Sequence, residues 1–540
     1  LEKELREYFT ERKGVLIIAL LVMLATTIPY LVGFSMEGES WRFSGFLIGA
    51  QDGNSYIAKM LSGASGNWLF RSPYSAEPQR GVLAFLPYLV LGKLTAPPAQ
   101  HDQLVAIYHG FRFIAGVMVV FSCYDFLGLF TKKSKLRLWG TLLAVIGGGL
   151  GWVLVAFQQK GFLGSIPLDF ISPESFGFLA LLGFPHLAAA RALLLWGLKS
   201  YLTRKNGWVA GAFWLGMGLF QPMFILIAWV IISLHTLVLL ILERFRPADP
   251  ANIQQASRQM VKISFEAVLV SSPLVIYTAY MFLTDLYLKG WSAQNILPSP
   301  HWAHYLIAYG LVLPFSVAGI YQRWRSQQRD YLLLAVWLAA FPLLVYAPVT
   351  TQRRLAEGIW VALIAGMLGY FSRQETFPQI AKWITALILP SSFFLLVGVS
   401  ARALKPAEPA FLPMKQVNAY LSLADQAAPG ALVLSDFTTG NSLPAWAPVR
   451  VVLGHGPESV NLDYWQEEAD TWLGENNVLD PCLNWFEQIG MDFLFWGPDE
   501  RNRWDYDPAG KFCLREMYNS GDYQIYLYND PPRSMETAHE

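Results

Sequence analysis

Apolar residues gather into long runs over the first 400 positions, with short polar turns between them. A run of about 20 residues crosses the hydrocarbon core of a bilayer as a helix. The pattern predicts spans over 15–34, 104–130, 136–157, 176–199, 207–220, 222–242, 262–283, 304–321, 331–349, 356–371 and 380–400. As a single helix, 207–242 would measure roughly 50 Å against a core of roughly 30 Å. Gln221-Pro222 sits at its middle, where proline removes a donor and favours a break. Two short spans are therefore expected, making about eleven in all.

Beyond Lys405-Pro406 the pattern changes to that of a small soluble domain. Ala431–Ser435, Val449–Leu453, Asp492–Trp496 and Tyr523–Tyr528 read as strands, and Asp463–Glu475 and Cys482–Ile489 as helices. Such alternation suggests an α/β layer. The expected fold is a polytopic α-helical membrane domain, 1–404, followed by a small α/β domain, 405–540. Between the first two spans lies a loop, 35–103, too long to be a mere connector. Within it Ser55–Leu61 suits an amphipathic turn or two, and Val82–Leu94 is too short to cross, so an interfacial or re-entrant helix is expected there. Trp41, Trp68 and Tyr74 suit the headgroup level.

Composition supports the membrane reading: 54% of residues are hydrophobic and 15% charged, well below the roughly one quarter charged of soluble domains. Basic residues orient the chain. Lys132, Lys133, Lys135 and Arg137 fill one loop, Lys199, Arg204 and Lys205 the next. Arg244, Arg246, Arg258 and Lys262, then Arg323, Arg325 and Arg329, occupy two more. With eleven spans these loops share a side with Lys3, Arg6, Arg12 and Lys13, which the positive-inside rule makes cytoplasmic. The loop 35–103 and the tail then lie outside the cell membrane, and the first apolar run reads as an anchor, not a cleaved signal.

The net charge of zero hides a division, because 405–540 holds 21 acidic against 8 basic residues. An acidic tail argues against nucleic acid as a partner, while a basic membrane body suits anionic lipid. Of the cysteines, Cys123 lies in a span, and Cys482 and Cys513 lie where a disulfide is permitted, with geometry left to decide.

The polar sextet Gln51-Asp52-Gly53-Asn54-Ser55-Tyr56 stands out in the first loop. A positioned carboxylate takes a proton from an acceptor hydroxyl, an effect worth about 10²–10⁴ in rate. Against this, Asp-Gly-Asn also makes an ordinary turn or helix cap, and by residue type alone that reading leads. Arg353 and Arg354 suit phosphate, or equally snorkel to headgroups, and Glu357 is placed to pair with one of them. His109 and Arg112, at i, i+3 spacing, either extend a phosphate site or form a satisfied polar face. His186 and Arg191 lie within a span, where ionisable groups suggest a cavity. Glu77, Asp169 and Glu174 are outer carboxylates, each a second base, a cation ligand or simply solvated. Trp291-Ser292-Ala293-Gln294-Asn295, leading to His301-Trp302, is a rigid hydrogen-bonding stretch suited to wall a groove. Gly147-Gly148-Gly149-Leu150-Gly151 reads as close helix packing within a span. Asp436, His455 and Glu458 draw notice, but Gly454-His455-Gly456-Pro457 reads as a turn. Metal, P-loop and GxSxG motifs are absent from the sequence.

Asp52-Gly53-Asn54-Ser55-Tyr56, Ser292-Ala293-Gln294-Asn295, Gln352-Arg353-Arg354, and Thr439-Gly440-Asn441 with Gly454-His455 resemble motifs in bacterial members of the GT-C superfamily of membrane glycosyltransferases. The plan of an acidic residue after span one, a long first outer loop and an outer C-terminal domain resembles that superfamily over nearly the whole chain. The resemblance implies transfer of a sugar from a polyprenyl-phosphate carrier to an extracytoplasmic glycan, lipid or protein. It implies a role for Asp52 as base or as ligand to a divalent cation, and lipid-phosphate contacts at Arg353 or Arg354. Gly53 stands where the O-mannosyltransferases carry the second acid of an Asp-Glu pair, and the tail lacks a WWDYG-like signature, so metal dependence stays open. The site expected from these residues is Asp52 with Asn54, Tyr56, Glu77, His109, Arg112, Gln294, Asn295, Arg353 and Arg354. Two rivals are a transporter or flippase, and an envelope assembly protein without catalysis.

Overall fold

A computed structural model describes residues 2–96, 100–159, 161–203, 206–245, 250–326, 330–374, 378–474 and 480–529. Arg204, Lys205, Arg246, Arg329 and Glu475 of the sequence reading lie outside them. By length and composition, six helices among the described residues suffice to cross a membrane: Arg12–Ser35, His101–Leu127, Met223–Phe245, Arg258–Thr284, Gln352–Phe371 and Gln379–Ala403. A pair bent by 72°, Ala303–Tyr309 with Leu313–Arg325, brings the number to seven if it counts as one span. The chain is a multi-pass membrane protein.

The remaining predicted spans are shorter or broken. Gly207–Phe220 and Met223–Phe245 separate at Gln221-Pro222, as the proline predicts. The run 136–157 breaks into Ser134–Ile146 and Gly151–Ala156, which corrects the reading of its glycines as part of a continuous span. The amides of Gly149 and Gly151 instead donate to the Asp169 carboxylate, at 2.9 and 3.1 Å. Close approach does hold at Gly149, where a Cβ would lie 2.5 Å from the Ala308 carbonyl oxygen.

The chain packs as two compact units. The first comprises Leu1–Pro29, Gly110–Tyr280 and Ile296–Ala401. Its helices approach through small residues: a Cβ at Gly319 would lie 2.1 Å from the Gly366 carbonyl oxygen. Such contacts let backbones pack by van der Waals attraction where lipid supplies no hydrophobic drive. Arg191 and Glu357 form a buried pair, with Arg191 also donating to the carbonyls of Pro173 and Glu174 at 2.7 and 3.1 Å. Glu357 thus pairs with Arg191, and not with the arginines just before it as the sequence suggested.

The second unit gathers Tyr30–His109, Met281–Asn295 and Arg402–Glu540, so loop and tail make one body. β1 (Trp41–Phe43) pairs antiparallel with β2 (Phe411–Pro413). A five-stranded sheet is built from β3 (Leu432–Leu434), β4 (Arg450–Val451), β5 (Phe493–Trp496), β6 (Leu514–Asn519) and β7 (Gln524–Tyr528). Its order is β4-β3-β5-β7-β6, with the first three strands parallel and the last two antiparallel. β3 and β5 are buried along their whole length, as strands covered on both faces should be.

Strand alternation decides what covers each face. Val433, Phe493 and Phe495 point into a core shared with Phe46, Ile57, Met60 and Leu61 of the first loop. Leu432, Leu434, Leu494 and Trp496 point the other way, onto Leu473, Trp485 and Phe486. The loop helix Ala50–Ala64 thus joins the core on one face of the sheet. Its 15 residues exceed the expected turn or two, because the tail supplies apolar partners that the loop sequence does not reveal. Val82–Leu94 is helical only over Leu86–Gly92. Tyr74 is buried, its hydroxyl donating to the Asn441 carbonyl at 3.1 Å, and is not at the headgroup level. Cys482 and Cys513 are disulfide-bonded.

Candidate active site

Asp52 sits in the first turn of Ala50–Ala64, where a carboxylate is favoured by the positive end of the helix dipole. The turn into this helix is made by Gly49, at φ 57°, and not by Gly53 as the sequence suggested. Gly53 is helical and lies against the Phe46 ring, where a Cβ would come within 2.3 Å. The Asp52 side chain is 49% exposed.

Behind it the helix turns a polar stripe inward. Asn54, Ser55 and Lys59 are all buried, and Ser55 and Lys59 follow the i, i+4 spacing of one helix face. Lys59 pairs with Glu458 at 2.6 Å and lies 4.4 Å over the Phe85 ring. Ser55 donates to Glu458 Oε1 at 2.6 Å, and Ser72 to Oε2 at 3.1 Å. Burial alone would push Glu458 upward. The Lys59 ammonium, the neighbouring His455 and the bonds from Lys59 and Ser55 outweigh it, holding Glu458 below the usual carboxylate range.

His455 links this interior to Asp52. Its Nε2 lies 3.4 Å from Asp52 Oδ1 and its Nδ1 3.7 Å from Glu458 Oε1. The segment carrying it follows β4 and is fixed by backbone contact. A Cβ at Gly454 would lie 2.4 Å from the Gly440 carbonyl oxygen, and one at Gly440 only 2.0 Å from that of Leu453. The Ser459 hydroxyl accepts from the amides of Gly454 and His455, at 3.0 and 3.1 Å. Gly454-His455 is thus a turn, and also the element that presents a side chain to Asp52.

Other expected residues converge on the same body. Asn54 donates to Asn441 at 2.9 Å. Gln294 donates to the carbonyls of Gly456 and Ser459, at 3.2 and 2.8 Å, and accepts from the Asn461 amide at 2.6 Å. Asn461 in turn donates to Glu77 at 3.0 Å. These contacts brace the His455 turn. Tyr56 stacks on Tyr88 with ring centres 4.6 Å apart, and Tyr108 lies parallel to both. Asn295 is buried at the end of the helix Leu286–Gln294. His109 bonds the Gly45 carbonyl at 2.9 Å and packs on Tyr30.

Three expected residues belong to the first unit. Arg112 is buried, donating to Thr26, Thr27 and the Leu181 carbonyl at 3.2, 2.9 and 3.0 Å. Arg353 and Arg354 lie on a short 3-10 helix, Gln352–Ala356. Arg354 is 3.9 Å from Glu174, and Arg353 Nε is buried with no hydrogen-bond partner among the described residues.

Among the described residues, no group of three or more His, Cys, Asp or Glu side chains is arranged to hold a metal ion. Asp52 and His455 adjoin, but both Glu458 oxygens already accept from Lys59 and two serines. This donor set does not fit a divalent cation. The sequence reading missed Lys59, Ser55, His455 and Glu458 as a group. The spacing of Asp52, Ser55 and Lys59 was the available signal.

No protein-family model matches the chain, and no curated protein matches it. Among solved structures, the arabinofuranosyltransferase AftD from Mycobacteria aligns with a TM-score of 0.52 at 13% identity, over 95% of this chain and 40% of that one. The oligosaccharyltransferase AglB from Archaeoglobus fulgidus gives 0.49 at 12%, over 96% and 75%. ArnT from Cupriavidus metallidurans gives 0.47 at 12%, over 95% and 98%. These neighbours are GT-C glycosyltransferases, and the likeness is one of fold. This chain spans about two fifths of AftD.

Proposed function

We propose that the protein is a membrane glycosyltransferase that moves a sugar from a polyprenyl-phosphate donor to an extracytoplasmic acceptor hydroxyl. The acceptor oxygen attacks the anomeric carbon, the bond from that carbon to the phosphate oxygen breaks, and its electron pair leaves with the phosphate. A single displacement of this kind inverts the anomeric centre. Asp52 takes the hydroxyl proton as general base. The lipid phosphate is assigned to Arg353 and Arg354 on residue type, since guanidinium groups match phosphate geometry.

The observation that carries the reading is the setting of Asp52. It is a half-exposed carboxylate at a helix start, backed by a buried polar network that the fold assembles from the first loop and the tail. A mere cap would need no such network. The glycosyltransferase fold of AftD supports the same reaction class.

The test is release of polyprenyl phosphate from labelled lipid-linked sugars by the purified protein and by Asp52→Asn. The variant should fold normally and lose about 10²–10⁴ in rate. Transfer by a folded Asp52→Asn protein at the wild-type rate rules out this base. Failure of the wild type with every donor in a broad panel removes the enzyme reading and favours a transporter or an assembly protein.

A further inference from the structure

We propose that His455 is the positioning residue of the Asp52 carboxylate, acting as an imidazolium held between Asp52 and Glu458; this rests on the reading of Asp52 as the base. Both ring nitrogens lie near carboxylate oxygens: Nε2 is hydrogen-bonded to Asp52 at 3.4 Å, and Nδ1, buried and without a hydrogen bond, is 3.7 Å from Glu458. An ionised carboxylate only accepts hydrogen bonds. A neutral imidazole has one N–H and turns a lone pair toward one of the two acids, whereas the doubly protonated ring turns an N–H toward both. Lys59 continues the series behind Glu458. Acid and base thus alternate as Asp52, His455, Glu458 and Lys59, from the exposed end to the interior, where Lys59 is 1% exposed.

Two phenols also border the site. Tyr74 lies 5.5 Å from the ring, and Tyr287 donates to the Glu458 carbonyl at 3.0 Å. Burial, reinforced by the Glu458 charge, pushes both well above the ordinary phenol range, so they stay neutral.

The ring is a rigid support, with its side chain 8% exposed. Its own amide and that of Gly454 are tied to Ser459, and the next carbonyl is tied to Gln294. A fixed cation against Oδ1 orients the carboxylate that receives the acceptor's proton. No proton leaves the ring during transfer: the hydroxyl proton goes to Asp52 and the electron pair to the phosphate.

The test uses the full-length protein in nanodiscs, with nitrogen-15 in its histidines. The His455 signal, identified by its loss in His455→Gln, should show an imidazolium at pH 7 and shift in Asp52→Asn. In the transfer assay His455→Ala should lower kcat by about 10²-fold with KM for the lipid-linked sugar little changed. His455→Gln, which keeps one N–H donor, should recover part of the loss. A neutral ring at pH 7, or His455→Ala with wild-type kcat, overturns the proposal. An imidazolium that responds to Asp52→Asn in a protein that transfers no sugar supports the ion pair and overturns the base.

Discussion

Lys59 and Glu458 stand 399 positions apart in the chain and meet at 2.6 Å in the interior of the second unit. The pair ties the first-loop helix to the turn that carries His455, so stability and site geometry depend on the same contact. Removing one partner of a buried pair leaves an uncompensated charge, which costs about 3–5 kcal/mol. Lys59→Met should lower unfolding stability by that order. Lys59→Met with Glu458→Leu should recover much of it, because the stranded charge is gone. Denaturant unfolding of the purified protein checks both.

The same carboxylate sets an acid limit. Glu458 is held below its ordinary value in the folded chain, so the unfolded chain takes up its proton first as pH falls. Its contribution to stability is complete above the unfolded value of about 4.5 and is lost as pH falls through the lower, folded value. Glu458→Gln should unfold more easily near neutrality but show a flatter loss of stability in acid. Melting temperatures measured from pH 7 downward read this directly.

Glu500 predicts the opposite slope. Burial raises it to about 7, although the amides of Asp436 and Gly497 donate to it. Here the folded chain binds the extra proton, so stability falls as pH rises from about 4.5 through about 7. Glu500→Gln should remove that decline. Unfolding followed between pH 5 and 8 tests it.

Gly53 tests the packing that aims Asp52. A methyl group there would meet the Phe46 ring at 2.3 Å, and overpacking of this kind costs about 1–3 kcal/mol. Gly53→Ala should lose stability and transfer rate together. Adding Phe46→Leu should restore part of both if the clash is the cause, measured by melting and by lipid-phosphate release.

Arg353 and Arg354 test the donor assignment. If they hold the lipid phosphate, replacing both with Gln should raise KM for the polyprenyl-phosphate sugar about 10- to 100-fold, as expected for lost charged hydrogen bonds. Arg354→Gln also removes the partner 3.9 Å from Glu174, so Glu174→Gln serves as the control. An unchanged KM in the double variant would remove the assignment.

Much of the architecture was legible in sequence. The apolar runs announced the membrane helices, Gln221-Pro222 announced a break, and short apolar runs in the tail announced β3, β4, β5 and β7. β6 was missed because Leu514–Asn519 is a largely exposed strand with no apolar alternation. The long loop helix was missed because its apolar residues pack into a core built in large part from the tail, which the loop sequence does not reveal.

The candidate site divides in the same way. Asp52 was visible as a carboxylate in a polar sextet ahead of the other spans, since composition and charge are local properties of the chain. Its partners were not, because Lys59, His455 and Glu458 gain meaning only from distances across 399 and 403 residues. Sequence by itself determined the membrane class, the α/β tail and the residue types available for chemistry. Tertiary structure alone decided that loop and tail form one body, that Gly454-His455 presents a side chain as well as a turn, and that Asp52 stands before a buried series of alternating charges. The physical reason is that hydropathy is written residue by residue, whereas an ion pair exists only where packing brings its members within reach.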